Sequence, residues 1–354
     1  MKYIKTFETT AQYETFTGSS EYVTPNVSAI EGSTDVYYNP YVHDYSKDYL
    51  TFEITSNGNI VWKAQYTAYT TTIEYKKNDG DWTSITSNTG DSAPSISVVD
   101  GDTVQFRGDN ATYSSGVDRY NYFSGTTCGF SVEGNIMSLI DSTNFATATT
   151  FASGFTFYNL FNFCTGLTDA SNLVLPSTTL TESCYSGMFQ GCTSLTSAPE
   201  LPATSLAYGC YESMFTDCTG LTAAPELPAT TLAETCYTYM FNGCTSLTTA
   251  PELPATTLAI RCYWLMFAGC TSLTTAPALP APTLAQSCYS SMFRGCTSLN
   301  YIKCLATNIS ASNCTGGWVT NVQTTSGTFV KNSSMSSWTT GVNGIPTNWT
   351  VQDA

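Results

Sequence analysis

The chain has 354 residues, a formal net charge of −15 and a pI near 4.2, and such an acidic surface repels a phosphate backbone, which excludes nucleic acid as a partner. Charged residues supply only 11% of the chain and aromatic ones 13%, so the polar surface falls to Thr, Ser, Asn and Tyr, a hydroxyl-rich surface of the kind found outside cells or on particles. No segment approaches the roughly 18 apolar residues of a membrane helix, so no membrane insertion is expected.

Residues 1–48 read as an extended N-terminal docking segment. Met1 to Glu8 carries lysines without a following apolar run, so a signal peptide is not expected there. Either an export signal was trimmed, or the protein leaves its host by another route, such as assembly into a virus particle released by lysis. Thr9 or Thr10 can cap a short helix that Gly18 ends. Tyr22, Tyr37, Tyr38 and Tyr41 have too little company for a core of their own and are expected to dock on another domain or another protein, as a virion protein would.

Residues 49–132 read as a small antiparallel β-sandwich. Tyr49 to Ile54, Ile60 to Ala64, Thr72 to Lys76, Trp82 to Ile85, Ile96 to Val99 and Val104 to Arg107 are short apolar or alternating runs separated by Gly, Asp and Asn turns. Asn57-Gly58 and Asn78 to Asp81 are hairpin signals.

Residues 133–315 hold internal repeats. Cys184-Tyr185, Cys210-Tyr211, Cys236-Tyr237, Cys262-Tyr263 and Cys288-Tyr289 recur at a fixed step of 26 residues. Each is followed by Met-Phe, a second Cys and a Leu. Phe163, Cys164 and Leu167 belong to a degenerate first copy. A period of this size implies stacked units that bury their apolar sides against one another. Within a copy, Leu258, Cys262, Met266 and Phe267 fit one face of a helix ended by Gly269, while Pro251 and Pro254 hold the preceding segment extended. Residues 316–354 form a C-terminal cap in which Trp318, Phe329, Trp338 and Trp349 cover the open end.

The recurring unit Met-Phe-x-x-Cys-Thr-x-Leu-Thr-x-Ala-Pro-x-Leu-Pro-Ala-x-x-Leu-Ala-x-x-Cys-Tyr resembles the BspA-like leucine-rich repeats of bacterial surface proteins. The resemblance covers about residues 157–315, and it implies an α/β leucine-rich-repeat solenoid. The unit is longer than is usual in that family, and Ala-Pro-x-Leu replaces an Ile-x-Leu type of strand. The whole chain, including the segments around Tyr22 to Ser28 and Gly344 to Pro346, also looks like proteins of gut Bacteroides and their phages. The resemblance implies a non-enzymatic, adhesive surface protein. The whole chain is then expected to be multi-domain, with a β-sandwich ahead of the solenoid.

There are 14 cysteines. No Cys-x-x-Cys occurs, and the one histidine is distant, so no metal site is expected. Cysteines eight apart on a helix lie about 12 Å apart along its axis, beyond disulfide reach, which favours buried free thiols. Cys304 and Cys314, outside the ladder, are better placed for a bond.

No catalytic residue and no cofactor is expected. His43 stands beside Asp44 without a nucleophile motif. Asp79, Asp81, Asp100 and Asp102 lack the closing Glu of a calcium loop and read as hairpin turns. Arg107-Gly108-Asp109 spells an attachment tripeptide, but at a strand end it reads as a turn.

Positions that differ among the copies are free to be surface. By that comparison Tyr208, Tyr239, Ile260, Arg261, Trp264 and Arg294 gather on one side as a ligand-binding surface for a protein or glycan on a cell or mucosal surface, since exposed aromatics with Arg anchor recognition. Drift at exposed positions gives the same pattern. The function expected is that of a surface-binding or adhesion protein, a phage fibre or decoration protein on the virion surface that is able to homo-oligomerise. The alternative is an exported adhesin or interaction module on the bacterial cell surface.

Overall fold

The computed structural model describes residues 43–323, 325–336 and 338–354. The docking residues Tyr22, Tyr37, Tyr38 and Tyr41, and the short helix expected before Gly18, lie outside the described residues.

Among the described residues there are twelve strands: β1 Leu50–Ile54, β2 Gly58–Ala64, β3 Thr72–Lys77, β4 Thr83–Thr86, β5 Ser95–Val98, β6 Thr103–Arg107, β7 Asn121–Phe123, β8 Phe130–Asn135, β9 Leu167–Val174, β10 Tyr301–Cys304, β11 Thr328–Lys331 and β12 Thr350–Asp353. They form a six-stranded sheet in the order β4-β3-β6-β1-β8-β9 and two three-stranded sheets, β5-β2-β7 and β10-β11-β12.

The first two sheets face each other through aromatic side chains. Phe52 of β1 stacks on Phe130 of β8 at 4.7 Å, and both Phe52 and Phe106 meet Phe123 of the opposite sheet at 4.9 Å. Trp62 closes on Phe123 at 4.7 Å. All five are buried. The turn at Asn78 to Asp81 makes the expected hairpin of β3 and β4. The Asn57-Gly58 turn does not pair its flanks. β1 pairs with β6 and β8, whereas β2 pairs with β5 and β7. That turn carries the chain from one sheet to the other.

The α/β leucine-rich-repeat solenoid is overturned. The protein is mostly sheet, about 25% strand against 4% helix, in three separate sheets, and its helical residues among those described are short 3-10 turns. The segments read as helix follow a different rule. Every fourth residue has a positive φ: Arg261 at 53°, Leu265 at 56° and Gly269 at 78° in one copy, Ser287, Ser291 and Gly295 in the next. Amide hydrogens then alternate in their use. Cys262, Trp264, Met266 and Ala268 donate to the carbonyl three residues back, while Arg261, Tyr263, Leu265, Phe267 and Gly269 donate to the next copy, at Gln286, Cys288, Ser290, Met292 and Arg294. An α-helix would spend every one of these donors inside the segment. Here half of them hold adjacent copies together, and each backbone donor is still satisfied.

The side chains follow that geometry. Two residues point in and two point out, so Cys262-Tyr263, Met266-Phe267 and Cys270 are buried. Tyrosines 185, 211, 237, 263 and 289 stack from copy to copy at 5.8–6.0 Å. Phenylalanines 161, 189, 215, 241, 267 and 293 do so at 5.4–5.9 Å. Each such buried ring stabilises by about 1.5–3 kcal/mol. The second cysteine of each copy donates its thiol hydrogen to a phenylalanine carbonyl in the preceding copy: Cys244 to Phe215 O and Cys270 to Phe241 O, both at 3.1 Å. All fourteen cysteines are free and buried, Cys304 and Cys314 included.

Between these turns the residues that flank the Ala-Pro-x-Leu-Pro segments make isolated parallel bridges, such as Ala223 with Thr249 and Thr231 with Thr257. Proline has no amide hydrogen for a ladder. The exception is instructive. In the first copy Ser171 and Val174 stand where Pro199 and Pro202 stand in the second, and there the chain forms the eight-residue strand β9. β9 pairs in parallel with β8, so the repeat array grows directly from the six-stranded sheet. Phe161 lies 5.9 Å from Phe123 and 5.4 Å from Phe189, which makes the aromatic core continuous. At the far end Trp318 stacks over Tyr289 at 6.4 Å and Trp338 over Trp318 at 5.6 Å.

Candidate functional site: a tyrosine-rich face and its cavity

The outward pairs of the four-residue period form columns along the array. One column runs Tyr158, Ser186, Glu212, Thr238, Trp264 and Ser290. The column beside it runs Asn159, Gly187, Ser213, Tyr239, Leu265 and Ser291. Adjacent columns therefore decide which differing residues meet.

Three of the six residues singled out by the repeat comparison come together. The Tyr239 and Trp264 rings lie 5.2 Å apart, and the Arg261 guanidinium sits 5.5 Å from the Trp264 ring. A cation over an indole face is attracted to its π electrons, so Arg261 and Trp264 brace each other at the surface. Ile260 and Arg294 are exposed, and among the described residues no ion pair or ring contact ties Arg294 to the trio. Tyr208 is half exposed and faces a different neighbourhood.

That neighbourhood is a cavity of about 310 Å³ where the loop bearing Val117 overhangs the first copies of the array. Phe155, Tyr158 and Tyr208 supply its aromatic wall. Beside it Tyr120 packs on Tyr158 at 5.4 Å and on Tyr122 at 5.0 Å. The polar lining includes Asn159, Ser183 and Ser186, each more than nine-tenths buried. Among the described residues neither serine Oγ has a hydrogen-bond partner. Glu182 and Glu212 also line it, and no Lys or Arg does. Burial pushes the Glu212 carboxyl above its usual value of 4.5. The Tyr158 phenol is raised by burial first, with the nearby Tyr120 and Glu212 adding to it.

Repeat comparison missed Tyr120, Tyr158 and Glu182; it marks Glu212 as a differing position without placing it in the binding surface. Tyr158 was legible in principle, since it occupies in the degenerate first copy the same column as Trp264. Tyr120 was not, because only the packing of the β7 region against that first copy brings it there.

Chemistry elsewhere is committed to structure. Arg107 donates to Glu74 Oε2 at 2.7 Å and lies 4.1 Å from the Trp82 ring, and Asp109 accepts from the Ser142 amide at 2.8 Å, so the Arg-Gly-Asp side chains are engaged. Asp102 accepts from the Val99 amide and from Asn78, both at 2.8 Å, and pairs with Lys77 at 2.7 Å. It organises a turn. His43 pairs with Asp48. Among the described residues no group of three or more His, Cys, Asp or Glu side chains could hold a metal ion, and no helix is long and apolar enough to cross a membrane.

Comparison with known proteins finds no matching family model, no matching curated protein and no matching solved structure.

Proposed function

We propose that the protein is a non-enzymatic surface-binding protein, a structural component of a virus particle that turns its tyrosine- and tryptophan-rich face toward a host cell or mucosal surface. The observation that carries this reading is the Arg261–Trp264–Tyr239 cluster, set on an array whose inward residues recur in every copy. Planar rings and a guanidinium held ready at a surface lose little freedom on binding, which is what recognition anchors need. The hydroxyl-rich, weakly charged composition and the resemblance of the chain to proteins of gut Bacteroides and their phages support the particle.

The test has two parts. Mass spectrometry of density-banded particles and of cell envelopes from a producing culture is expected to find the repeat peptides in the particles at structural abundance. Their recovery only in envelopes would make the protein a bacterial adhesin. In the second part, Tyr239→Ala with Trp264→Ala is expected to leave the thermal midpoint nearly unchanged, because both rings lie outside the stacked core, while attachment falls at least about tenfold. Attachment equal to wild type would refute the role of this face.

A further inference from the structure

We propose that the cavity beneath Val117 is a pocket for one ring of a neutral saccharide. The inference rests on the surface-binding reading and names the ligand class of a second site on the same side of the array.

Size comes first. A volume of about 310 Å³ stands at the small end of the range for small-molecule sites and suits a single sugar ring better than an extended peptide. Its walls differ in character. Tyr158, Phe155 and Tyr208 offer flat apolar surface, to which the C–H face of a pyranose is complementary, whereas the floor is polar.

The floor chooses between ligands. A hydroxyl both donates and accepts a hydrogen bond; an ammonium only donates. The polar lining comprises Asn159, Gln190, Ser183, Ser186 and Ser213, which all can donate, and two carboxylates, which accept. A cationic side chain would use the two carboxylates and leave the Gln190 and serine donors idle, Asn159 being already bonded to the Tyr120 and Tyr158 phenols. A polyol can use both kinds. An anionic sugar is disfavoured, since Glu182 and Glu212 line the cavity and no cation offsets them.

The floor also has unused bonding capacity. Ser183 and Ser186 are each 6% exposed, and their hydroxyls lack protein partners among the described residues. The Thr235 hydroxyl is fully buried without a partner. A Cβ placed on Gly209 would stand 3.1 Å from Ser183 Oγ, 3.2 Å from Glu212 Oε2 and 3.6 Å from Thr235 Oγ1. Three polar atoms thus converge around Gly209, the neighbour of the lining residue Tyr208. The two serine hydroxyls, unlike that of Thr235, stay in reach of solvent and so are open to bonding a ligand hydroxyl.

Saturation-transfer NMR on the whole chain tests the pocket, using the methyl glycosides of glucose, galactose, mannose and N-acetylglucosamine, with N-acetyl-lysine methylamide as the cationic probe. At least one glycoside is expected to bind, and Tyr158→Ala to weaken it about tenfold. Glu212→Gln keeps the shape of the site and gives a second readout, also with a loss of affinity. Circular dichroism melts establish that each variant is folded. Binding of the lysine probe alone, binding of no probe, or a glycoside held equally well by wild type and the folded variants would each overturn the proposal. Such a result would leave the Tyr239/Trp264 attachment test untouched, so the two readings fail separately.

Discussion

Asp102 shows how little of the charged chemistry is available for function. Its carboxyl is held down to about 2 from a usual 3.8, first by the Lys77 ammonium, then by the Val99 amide and the Asn78 side chain. A depressed folded value means the carboxylate stabilises above pH 3.8 and loses that contribution as pH falls toward 2. The difference in unfolding midpoint between wild type and Asp102→Asn is expected to shrink over that window in an acid titration. A difference independent of pH would contradict it. Gly269 isolates a different effect. Its φ is 78°, and a Cβ there would meet only Gly243 atoms at 3.6 Å, so Gly269→Ala adds strain without a clash. Denaturant unfolding is expected to show a loss of about 1–2 kcal/mol. No loss would mean that the left-handed position is not enforced.

The turns of each copy show where a periodicity argument fails. Apolar residues at i, i+4, i+8 and i+9 satisfy an amphipathic helix over so short a span. A true helix advances about 100° per residue, so Cys262 and Cys270 would differ by about 80° in direction. The observed trace resets at every fourth residue through a left-handed conformation, which keeps both cysteines facing in. The signal was present as Cys-Tyr-x-x-Met-Phe-x-x-Cys, two in and two out with period four. Glycine at 187, 191, 243, 269 and 295 marked some left-handed positions. Arg261, Leu265 and Tyr239 at equivalent ones gave no hint. The proline-bearing segments were read correctly as non-helical with few ladder bonds, and the contrast with β9 says why they stop short of strands. Replacing Pro251 by Ser and Pro254 by Val, as at Ser171 and Val174, restores two amide donors. Hydrogen exchange is expected to reveal protected amides at both positions. Rapid exchange there would mean that something other than the missing donors interrupts the ladder.

Taken as one body, the protein encloses a single aromatic core from Phe52 through the phenylalanine and tyrosine ladders to Trp338, with a column of buried thiols beside it. Burial pushes the phenols of Tyr185, Tyr211, Tyr237, Tyr263 and Tyr289 well above 10.0. It pushes the thiols of Cys210, Cys262 and Cys296 from 9.0 to about 12. These groups stay protonated in the native chain while the unfolded chain loses their protons. Stability is therefore full below pH 9.0 and drains away as pH rises toward 12. An alkaline titration followed by circular dichroism is expected to show a cooperative loss of structure within that range. A native signal that persists to its upper end would show that the thiols and phenols reach solvent without unfolding.

The sequence by itself determined the repeat, the identity of its buried residues and most strands between Leu50 and Arg107, because each follows from local alternation, turn residues or the recurrence of one pattern. Only the tertiary structure decided that the copies are neither helical nor built on a leucine-rich-repeat ladder, that β1 pairs with β6 and β8 instead of β2, and that Phe155, Tyr158 and Tyr208 line one cavity. The physical reason is common to all three. They depend on which carbonyl a given amide finds. In the turns of the array half of those partners lie in the next copy, about 25 residues along the chain, where no local pattern can point.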